Sequence, residues 1–382
     1  MKQRHLETIT QLRHRLHELA ELSMHEARTK KHLMDFLTKT TSLQVVDCGS
    51  WFYAYYHAGD NKPTVAFRAD FDALPMDEGI DVPYASETPG VSHKCGHDGH
   101  SAILAGTALE INADGGPNNI IFLFQPGEET GEGALQCLGI FDAFAIDEFY
   151  GLHNFPTFPH KVIGGRSGAT NCASTGIRLD FTGTPSHASL PEDGRNPSLA
   201  IAETISSLPG TFDQSKYEDL VMCTVVHVEI GEKSFGVSPG EGSLWLTCRG
   251  ARQSEMEAAI ASTLAVAEAR AAAHQIELKV SYHETFPENA SHAQCVQAVR
   301  EACERCGAEF MELPFTARGS EDFGHFLHRA PGAMFVIGGG DIPQIHTEGY
   351  DFPDDTIETA VNVFVELCRD ENVIKRRTYR EH

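Results

Sequence analysis

Apolar positions near the amino terminus recur every three or four residues, which is the spacing of one helix face. They are Leu6, Ile9, Leu12, Leu16 and Leu19. Polar and charged residues fill most of the positions between them. This pattern predicts an amphipathic helix with one buried side.

The next part of the chain alternates strand patterns with helix patterns. Strands are predicted at 51–57, 64–69, 119–124 and 148–152, and a helix is predicted at 101–111. The run Asn119–Phe124 has five apolar residues in succession, which is typical of a strand covered on both faces of a parallel sheet. This alternation predicts an α/β domain, which we expect to be built on a mixed sheet.

Beyond about residue 172 the pattern becomes that of an α+β unit. The predicted order is strand 176–182, helix 196–208, strands 219–229 and 243–249, helix 252–273 and strand 275–282. This βαββαβ order is typical of a ferredoxin-like unit. The α/β pattern resumes near Ser291. We therefore predict one domain from residues 1–172 and 286–382, interrupted by an inserted domain at 173–285.

Composition and charge limit the classes of partner. The 382-residue chain carries 54 Asp and Glu against 30 Lys and Arg, which gives a net charge of −24. Phosphate binding needs clustered basic side chains, so this balance argues against nucleic-acid and anionic-membrane partners. The apolar runs are shorter than the roughly 20 residues of a membrane span. Ten cysteines and an amphipathic amino terminus predict reduced thiols and a cytoplasmic location.

The segment Ser92–His100 concentrates side chains that bind metals or protons. It contains Cys95 and His97 in a Cys-x-His pair, with His93 and His100 on either side. Thiolate and imidazole are good ligands for a borderline-soft divalent ion. For any one histidine, an exposed loop position is the alternative. Their clustering favours a metal-ligand role for Cys95 and His97.

Other metal-capable side chains follow predicted strands. They are Glu128, Glu129, His153 and His346, which come after the strands predicted at 119–124, 148–152 and 333–337. Ligands of an open α/β sheet bind at the carboxyl ends of its strands, so these side chains are expected to converge. Taken singly, a solvated acidic turn or a core histidine is the alternative.

These donors are suited to metal-assisted hydrolysis. A metal lowers the pKa of a bound water towards about 7, and a carboxylate free of the metal can take its proton. Adjacent glutamates in an extended loop project to opposite sides, so one of Glu128 and Glu129 can bind metal while the other faces substrate. The residues alone leave open which does so. Asp70 and Asp72 share a strand face and would suit the orientation of a ligand imidazole, with a charged strand end as the alternative.

Five motifs occur in an order that resembles a known family. They are Phe67–Glu78, His93–His100, Phe124–Glu129, Gly151–Pro156 and Gly319–Phe323. In this order they resemble the M20 metallopeptidases, and most closely the aminoacylase and amidohydrolase branch with its hippurate hydrolase-like and indole-acetyl-amino-acid hydrolase-like enzymes. The resemblance spans nearly the whole chain.

The resemblance implies a di-metal catalytic domain and an inserted lid domain that also forms a homodimer. It assigns the metal ligands to Cys95, His97, Glu129, His153 and His346. Two divalent ions per subunit are implied. Thiolate and imidazole favour Zn²⁺, while the carboxylates leave Mn²⁺, Co²⁺ or Ni²⁺ as alternatives.

The same resemblance implies roles for the residues around the metals. It makes Glu128 the general base that forms a metal-bridging hydroxide and later returns the proton to the leaving amine. Asp72 is implied to orient a ligand, with Asp70 as its neighbour. His187 of the inserted domain is implied to polarise the scissile carbonyl, within its own subunit or across a dimer.

Substrate contacts are less constrained by these motifs. Asn154 lies within Gly151–Pro156, and Arg249 is a candidate anchor for a substrate carboxylate, with a structural salt bridge as the alternative. The chain departs from the family pattern at Gly236–Pro239, at Thr247–Gly250 and at Ala20, where a proline is usual. These departures bear on substrate preference rather than on catalysis.

The predicted function is metal-dependent hydrolysis of the amide bond of a small N-acyl amino acid. A dipeptidase or carboxypeptidase on the same scaffold is the alternative within enzymes. A non-catalytic ligand-binding relative is the alternative in another class. The expected partners are a small-molecule substrate, either an N-acyl amino acid or a dipeptide, and a second copy of the chain.

Overall fold

The computed structural model describes residues 1–373 and residue 376. The chain divides into two compact units. Unit 1 comprises Met1–Thr170, Asn289–Phe315 and the chain from Asp322 onward, and unit 2 comprises Asn171–Glu288 and Thr316–Glu321. The short segment Thr316–Glu321 has no counterpart in the boundaries predicted from the sequence.

Helices and strands make up most of both units. The helices, in chain order, are α1 (Gln3–Leu19), α2 (Ala27–Thr40), α3 (His97–Asp114), α4 (Gly133–Cys137), α5 (Ile140–Ala143), α6 (Ser198–Thr211), α7 (Gln253–Ala273), α8 (Ala293–Cys306), α9 (Gly324–Leu327) and α10 (Ile357–Cys368). The strands are β1 (Gln44–Asp47), β2 (Phe52–Tyr56), β3 (Thr64–Asp70), β4 (Asn119–Gln125), β5 (Glu148–Pro156), β6 (Ile163–Gly165), β7 (Gly168–Asn171), β8 (Ala173–Thr182), β9 (Ser186–His187), β10 (Val221–Ile230), β11 (Val237–Ser238), β12 (Glu241–Gly250), β13 (Glu277–Phe286), β14 (Asn289–Ser291), β15 (Phe310–Glu312) and β16 (Gly332–Gly340).

Unit 1 is built on an eight-stranded mixed sheet in the order β1-β2-β4-β3-β5-β16-β6-β15. Its centre is parallel, because β3 pairs in parallel with both β4 and β5, and β5 pairs in parallel with β16. Strands β1 and β2 are antiparallel at one edge. The predicted α/β class with a mixed sheet is confirmed.

The central strands of this sheet are covered on both faces. In β4, Ile120, Phe122 and Phe124 join the core formed with α1, α3, α8 and α10. Ile121 and Leu123 point the other way, into a second core that includes residues of α4 and α9. Successive side chains of a strand project to opposite faces, so an all-apolar strand needs cover on both. The prediction for Asn119–Phe124 is confirmed.

Helix α3 lies in the middle of the larger core. Its residues from His97 to Ile111 are all buried, as expected for a helix that is largely apolar on every side. The residue before it, Gly96, has φ +95°, a left-handed conformation that costs glycine little. The turn at Gly96 therefore sets the direction of the chain between Cys95 and His97, the metal-capable residues on either side of it.

Unit 2 has the predicted βαββαβ order, formed by β8, α6, β10, β12, α7 and β13. Its antiparallel sheet has the order β10-β12-β8-β13, which is the ferredoxin-like arrangement. Helices α6 and α7 supply Ile201, Leu208, Met256 and Ile260 to a core beneath the sheet. Among the described residues, no helix combines the length and the apolar character needed to cross a membrane.

Candidate metal centre

The carboxyl ends of three neighbouring strands form the base of the candidate site in unit 1. Arg68 of β3 pairs with Gly151 of β5, so Asp70 and His153 lie level with each other on adjacent strands. On the other side of β3, Asp70 pairs with the last residue of β4, Gln125. The loop that follows β4 carries Glu128 and Glu129. The predicted convergence at one sheet edge is present.

Asp72 orients His97 at the start of α3. The Nδ1 atom of His97 lies 3.0 Å from Asp72 Oδ1 and 3.1 Å from the carbonyl oxygen of the same residue. Both partners are acceptors, so Nδ1 carries the proton and donates it. The other ring nitrogen, Nε2, faces the carboxylates of Glu128 and Glu129, at 3.9 and 3.8 Å, and it is the nitrogen that can bind a metal ion once its own proton has left. A carboxylate behind a ligand imidazole is a common arrangement at metal sites.

His153 is also oriented by a hydrogen bond to one ring nitrogen, and its other ring nitrogen faces Cys95. The Nδ1 atom of His153 lies 2.6 Å from the carbonyl oxygen of Asn154, and its Nε2 lies 3.4 Å from Cys95 Sγ. The carbonyl fixes the proton on Nδ1 and leaves the Nε2 lone pair facing the thiol. Burial lowers the pKa of His153 to about 4, so the ring is neutral at neutral pH. A neutral imidazole is the form that binds metal ions.

Potential ligand atoms gather into overlapping groups around Cys95. One group is Cys95, His97 and His153, and another is Cys95, Glu129 and His346, each with its atoms within 4.8 Å of one another. Glu128 joins a further group with His97 and Glu129. Two triads that share one thiol fit a pair of ions better than a single ion.

The buried polar atoms of the site test whether metal ions fit it. Among the described residues, His97 Nε2 and Glu129 Oε1 are buried and have no hydrogen-bond partner. Leaving a buried polar atom unsatisfied costs about 1–3 kcal/mol, so such atoms normally have a partner. Both atoms face the same small space with His346, whose Nε2 lies 3.4 Å from Glu129 Oε1. A cation in that space would satisfy them.

The electrostatics of the site also favour cations. Burial would lower the pKa of His97, but the charges of Asp70 and Asp72 raise it to about 10. Burial raises the pKa of the Cys95 thiol, and the charges of Glu129 and Glu128 raise it further. The side chains thus hold protons that divalent ions would displace, because a metal ligand must be deprotonated.

Asp70 is engaged elsewhere than in the ligand groups around Cys95. It accepts a hydrogen bond from Arg68 at 2.7 Å and one from His100 Nδ1 at 2.7 Å. The Nε2 atom of His100 in turn accepts the Asn154 backbone N–H at 3.0 Å. Both nitrogens of His100 are therefore used within the protein. His100 is buried rather than exposed, and it acts as part of the support beneath the site.

Asn154 is held in place by the residues behind the ligands. Its side-chain amide donates to the carbonyl oxygen of Cys95 at 2.6 Å, and its side-chain oxygen accepts from the hydroxyl of Tyr350. These contacts fix the peptide that carries Cys95. The substrate-binding role predicted for Asn154 stays a prediction, since its side chain is buried and engaged with the protein.

Three local predictions differ from the structure. His153 lies inside β5 rather than after the strand, because β5 continues to Pro156 beside β16. His97 begins α3 rather than lying in the preceding loop. Glu128 and Glu129 lie in a short 3₁₀ turn rather than in an extended loop, so the strand rule for adjacent side chains does not apply to them.

The remaining predicted residues lie in unit 2. His187 is exposed in the short strand β9, where it pairs with Val237, and its Nδ1 lies 2.7 Å from Ser189 Oγ. Arg249 lies in β12 and donates to the carbonyl oxygen of Arg318 and to Ser320 Oγ, each at 2.8 Å. The alternative to substrate binding for Arg249 is a structural salt bridge. The two acceptors observed are a carbonyl and a hydroxyl oxygen, so these contacts are hydrogen bonds to uncharged groups and not a salt bridge.

Sequence reasoning gave no role to a buried polar network beneath the site. Asp322 accepts hydrogen bonds from Arg68, Gln125 and the backbone N–H of Ala134, each at 2.8 Å. It therefore joins β3, β4 and the start of α4 under the loop that carries Glu128. Asp322 belongs to the motif Gly319–Phe323, which marks the segment in the sequence. The motif alone does not show that Asp322 contacts residues of β3, β4 and α4.

Buried thiol, imidazole and carboxylate donors at the edge of a mixed α/β sheet are typical of a metal-dependent hydrolase. The model of peptidase family M20/M25/M40 matches residues 66–370, and the chain belongs to this family. The resemblance seen in the motifs is thereby confirmed.

Two relatives match most of the length of the chain. The N-acetylcysteine deacetylase of Bacillus subtilis is 27% identical over 363 residues, covering 94% of this chain and 95% of that protein. The N-acetyldiaminopimelate deacetylase of Limosilactobacillus fermentum is 28% identical over 351 residues, covering 89% and 91%.

Solved structures agree with the fold. The YxeP protein of Bacillus subtilis, a dinuclear metal-binding peptidase of the M20 family, superimposes with a TM-score of 0.84 at 25% identity, covering 99% of this chain and all of that one. An aminohydrolase from Staphylococcus aureus gives a TM-score of 0.88 at 21% identity, covering 96% and 98%. The second likeness concerns the fold alone.

Proposed function

We propose that this protein hydrolyses the amide bond of small N-acyl amino acids, with two divalent metal ions and with Glu128 as general base and acid. The observation that carries the proposal is the pair of ligand triads sharing Cys95, with the Glu128 carboxylate beside them. The names of two relatives, both deacetylases of N-acetylated amino acids, support the substrate class.

Five residues are proposed to hold the ions: Cys95, His97, Glu129, His153 and His346. When bound, a divalent pair supplies Lewis acidity and lowers the pKa of water towards about 7. Zinc suits the thiolate and imidazole donors, and Mn²⁺, Co²⁺ or Ni²⁺ remain the alternatives. Asp72 keeps the His97 ring oriented so that Nε2 faces Glu128 and Glu129, where an ion would be bound.

Glu128 is proposed to move the protons of the reaction. Its carboxylate is buried and lies 3.9 Å from His97 Nε2, at the edge of the ligand groups rather than in a triad with Cys95. A carboxylate in this position accepts a proton from the attacking water and delivers it to the leaving nitrogen. Proton transfer by a positioned side chain increases the rate by roughly 10²–10⁴-fold.

The proposal includes the parts that depend on unit 2. His187 polarises the scissile carbonyl, Arg249 anchors the substrate carboxylate, and unit 2 mediates a homodimer. The roles of His187 and of unit 2 follow from the family resemblance of the motifs. The role of Arg249 follows from its guanidinium group, which can pair with a carboxylate. A cytoplasmic location follows from the ten cysteines and the amphipathic amino terminus. His187 is exposed in the short strand β9, which is compatible with contact to a substrate.

The decisive variant is Glu128→Gln, which removes the base and preserves the size of the side chain. We expect the variant to bind both metal ions while its kcat falls by about 10²-fold or more, the contribution of a general base. Metal content is measured on the same preparation. A Glu128→Gln enzyme with nearly wild-type kcat would refute the assignment of the base.

A substrate panel separates the proposed function from its alternatives. N-acetyl and N-benzoyl amino acids are compared with dipeptides that carry the same carboxyl-terminal residue, each with and without a chelator. Faster turnover of the N-acyl compounds supports the proposal, and faster turnover of dipeptides favours the peptidase. Bound metal without hydrolysis of either series would favour a ligand-binding relative.

A further inference from the structure

We propose that Glu26 is a positioning residue for the reaction, because it holds the turn that carries Glu128 in place. The second half of the connection between α1 and α2, residues 23–26, is called the brace. This inference rests on the proposed function, and it gives a role to a segment outside the ligand motifs.

Glu26 connects the brace directly to the turn that carries Glu128, residues 127–129, which is called the catalytic turn. Its Oε1 atom accepts the backbone N–H of Gly127 at 2.8 Å and that of Met24 at 2.8 Å. Gly127 immediately precedes Glu128 and has φ +56°, so the turn depends on a left-handed residue at this point. One buried oxygen atom therefore fixes both the brace and the residue from which Glu128 projects.

Met24 packs against the same glycine. A Cβ atom added to Gly127 would lie 2.5 Å from the Sδ atom of Met24, well inside van der Waals contact. Met24 itself has φ +65°, an unusual conformation for a residue with a side chain. The Glu26 carboxylate holds the Met24 backbone N–H, and this bond stabilises the local conformation that places Met24 there.

The brace also contacts the other side of the catalytic turn. Ser23 Oγ donates to Asp72 Oδ2 at 2.8 Å, and the same carboxylate oxygen accepts the backbone N–H of Glu129 at 3.0 Å. Residues Gly127 and Glu129 are thus tied to the brace, directly or through Asp72. Glu128 lies between the two attachment points, so its carboxylate depends on both.

Glu26 is buried, and burying a carboxylate costs desolvation free energy. Burial raises the pKa of Glu26 to about 7, and the nearby charge of Asp72 contributes to the same rise. A less buried acid can hold the same connection at a smaller cost in desolvation. Glu21 is an example, because its half-buried side chain accepts the backbone N–H groups of Arg28 and Thr29 at the start of α2.

This geometry defines three matched variants. In Glu26→Gln the side-chain amide oxygen can still accept both N–H groups, whereas Glu26→Ala removes the acceptor. Glu21→Ala removes a comparable acceptor from the same connection and leaves the catalytic turn untouched. Steady-state kinetics, metal content and thermal unfolding are measured for all three on the metal-loaded enzyme.

We expect Glu26→Ala to lower kcat by about 100-fold, as a displacement near 1 Å of a catalytic group does. KM and the metal stoichiometry should stay close to wild type, because the five proposed ligands are unchanged and Glu129 keeps its own hydrogen bond to Asp72. Glu26→Gln should restore kcat. Glu21→Ala should lower the unfolding temperature and keep wild-type kcat, which separates positioning from a general loss of stability.

Hydrogen exchange at the backbone amide of Gly127 gives a measurement that does not require turnover. Glu26→Ala should increase its exchange rate, while Glu26→Gln and Glu21→Ala should leave it protected. The inference is overturned if Glu26→Ala keeps kcat, if Glu26→Gln is as inactive as Glu26→Ala, or if the exchange rate of Gly127 does not respond. A wild-type enzyme inactive on every amide would instead refute the proposed function, and the exchange data would still decide whether Glu26 holds the turn.

Discussion

Asp72 shows how much of the site depends on a single side chain. One of its oxygens accepts from His97 Nδ1, and the other accepts from Ser23 and from the backbone of Glu129. It therefore fixes the orientation of one proposed ligand and the path of the turn that carries another. The sequence placed Asp72 near the ligands, but only the structure gives these three contacts.

The expected consequence is a change in metal affinity. Asp72→Ala frees the His97 ring and should weaken metal binding by about 10–100-fold, the usual effect of removing the group that orients a ligand imidazole. Competition with a fluorescent chelator measures this affinity.

Asp355→Ala is the control for Asp72→Ala, because that carboxylate is half exposed and pairs with His160 and Lys161 away from the site. Its affinity for metal should equal that of the wild type. Equal affinity in Asp72→Ala as well would contradict the role assigned to Asp72.

The histidines of Ser92–His100 illustrate what residue identity leaves open. His97 and His100 are both buried and lie near each other on α3, yet only His97 has a ring nitrogen facing the proposed ligands. His100 uses both nitrogens for Asp70 and Asn154. Their spacing in the sequence is compatible with either role, because the distinction depends on strands that lie far away along the chain.

At the scale of elements, the start of α3 sets the geometry of the site. Cys95 immediately precedes Gly96, and His97 is the first residue of the helix. A Cβ atom added to Gly96 would lie 2.6 Å from Asn154 Nδ2 and 2.7 Å from the Tyr350 hydroxyl. The helix end is therefore fixed by close backbone packing as well as by hydrogen bonds.

Gly96→Ala should disturb both stability and metal binding. The left-handed conformation alone costs a residue with a Cβ atom about 1–2 kcal/mol, and the close contacts add to this. We expect a lower free energy of unfolding in urea and a loss of bound metal.

Gly139→Ala provides the comparison for Gly96→Ala, since Gly139 has an ordinary helical φ and an added Cβ would meet nothing within 4 Å. It should retain its metal and its stability. Full metal content in Gly96→Ala would show that the helix end tolerates displacement.

At the scale of the whole molecule, the proposed ions would contribute to folding stability. Several acidic and thiol groups of unit 1 are buried close together, namely Asp70, Asp72, Cys95 and Glu128, and the half-buried Glu129 lies beside them. Ions that bind only the native state stabilise it by about 2.7 kcal/mol when their free concentration is 100 times the dissociation constant. Metal binding and global stability are therefore coupled.

Chelation should lower the unfolding temperature of the wild-type protein by several degrees, and added Zn²⁺ or Mn²⁺ should restore it. Differential scanning calorimetry measures this shift. Glu129→Ala should respond much less to the chelator, because one of the two triads then lacks a ligand. If neither the chelator nor the added metals changed the unfolding temperature, the result would contradict a metal centre in the native protein.

Much of the fold and the donor set could be read from local sequence. The apolar run Asn119–Phe124, the helical spacing of residues 6–19 and the βαββαβ order of unit 2 correspond to elements of the structure. These patterns are local, because the repeat of apolar positions in a helix or a strand is visible within a few consecutive residues. The types of metal donor were also readable, because thiol, imidazole and carboxylate occur in compact motifs.

Tertiary structure alone decided how those donors are used. The orientation of the His97 ring and the hydrogen bond between Gly127 and Glu26 depend on partners 25 and 101 positions away, and the end of β5 depends on its pairing with β16. No local period encodes such contacts. The sequence by itself determined the elements and the chemistry available at the sheet edge, and packing determined which atoms face one another, because side-chain direction follows from the meeting of distant segments.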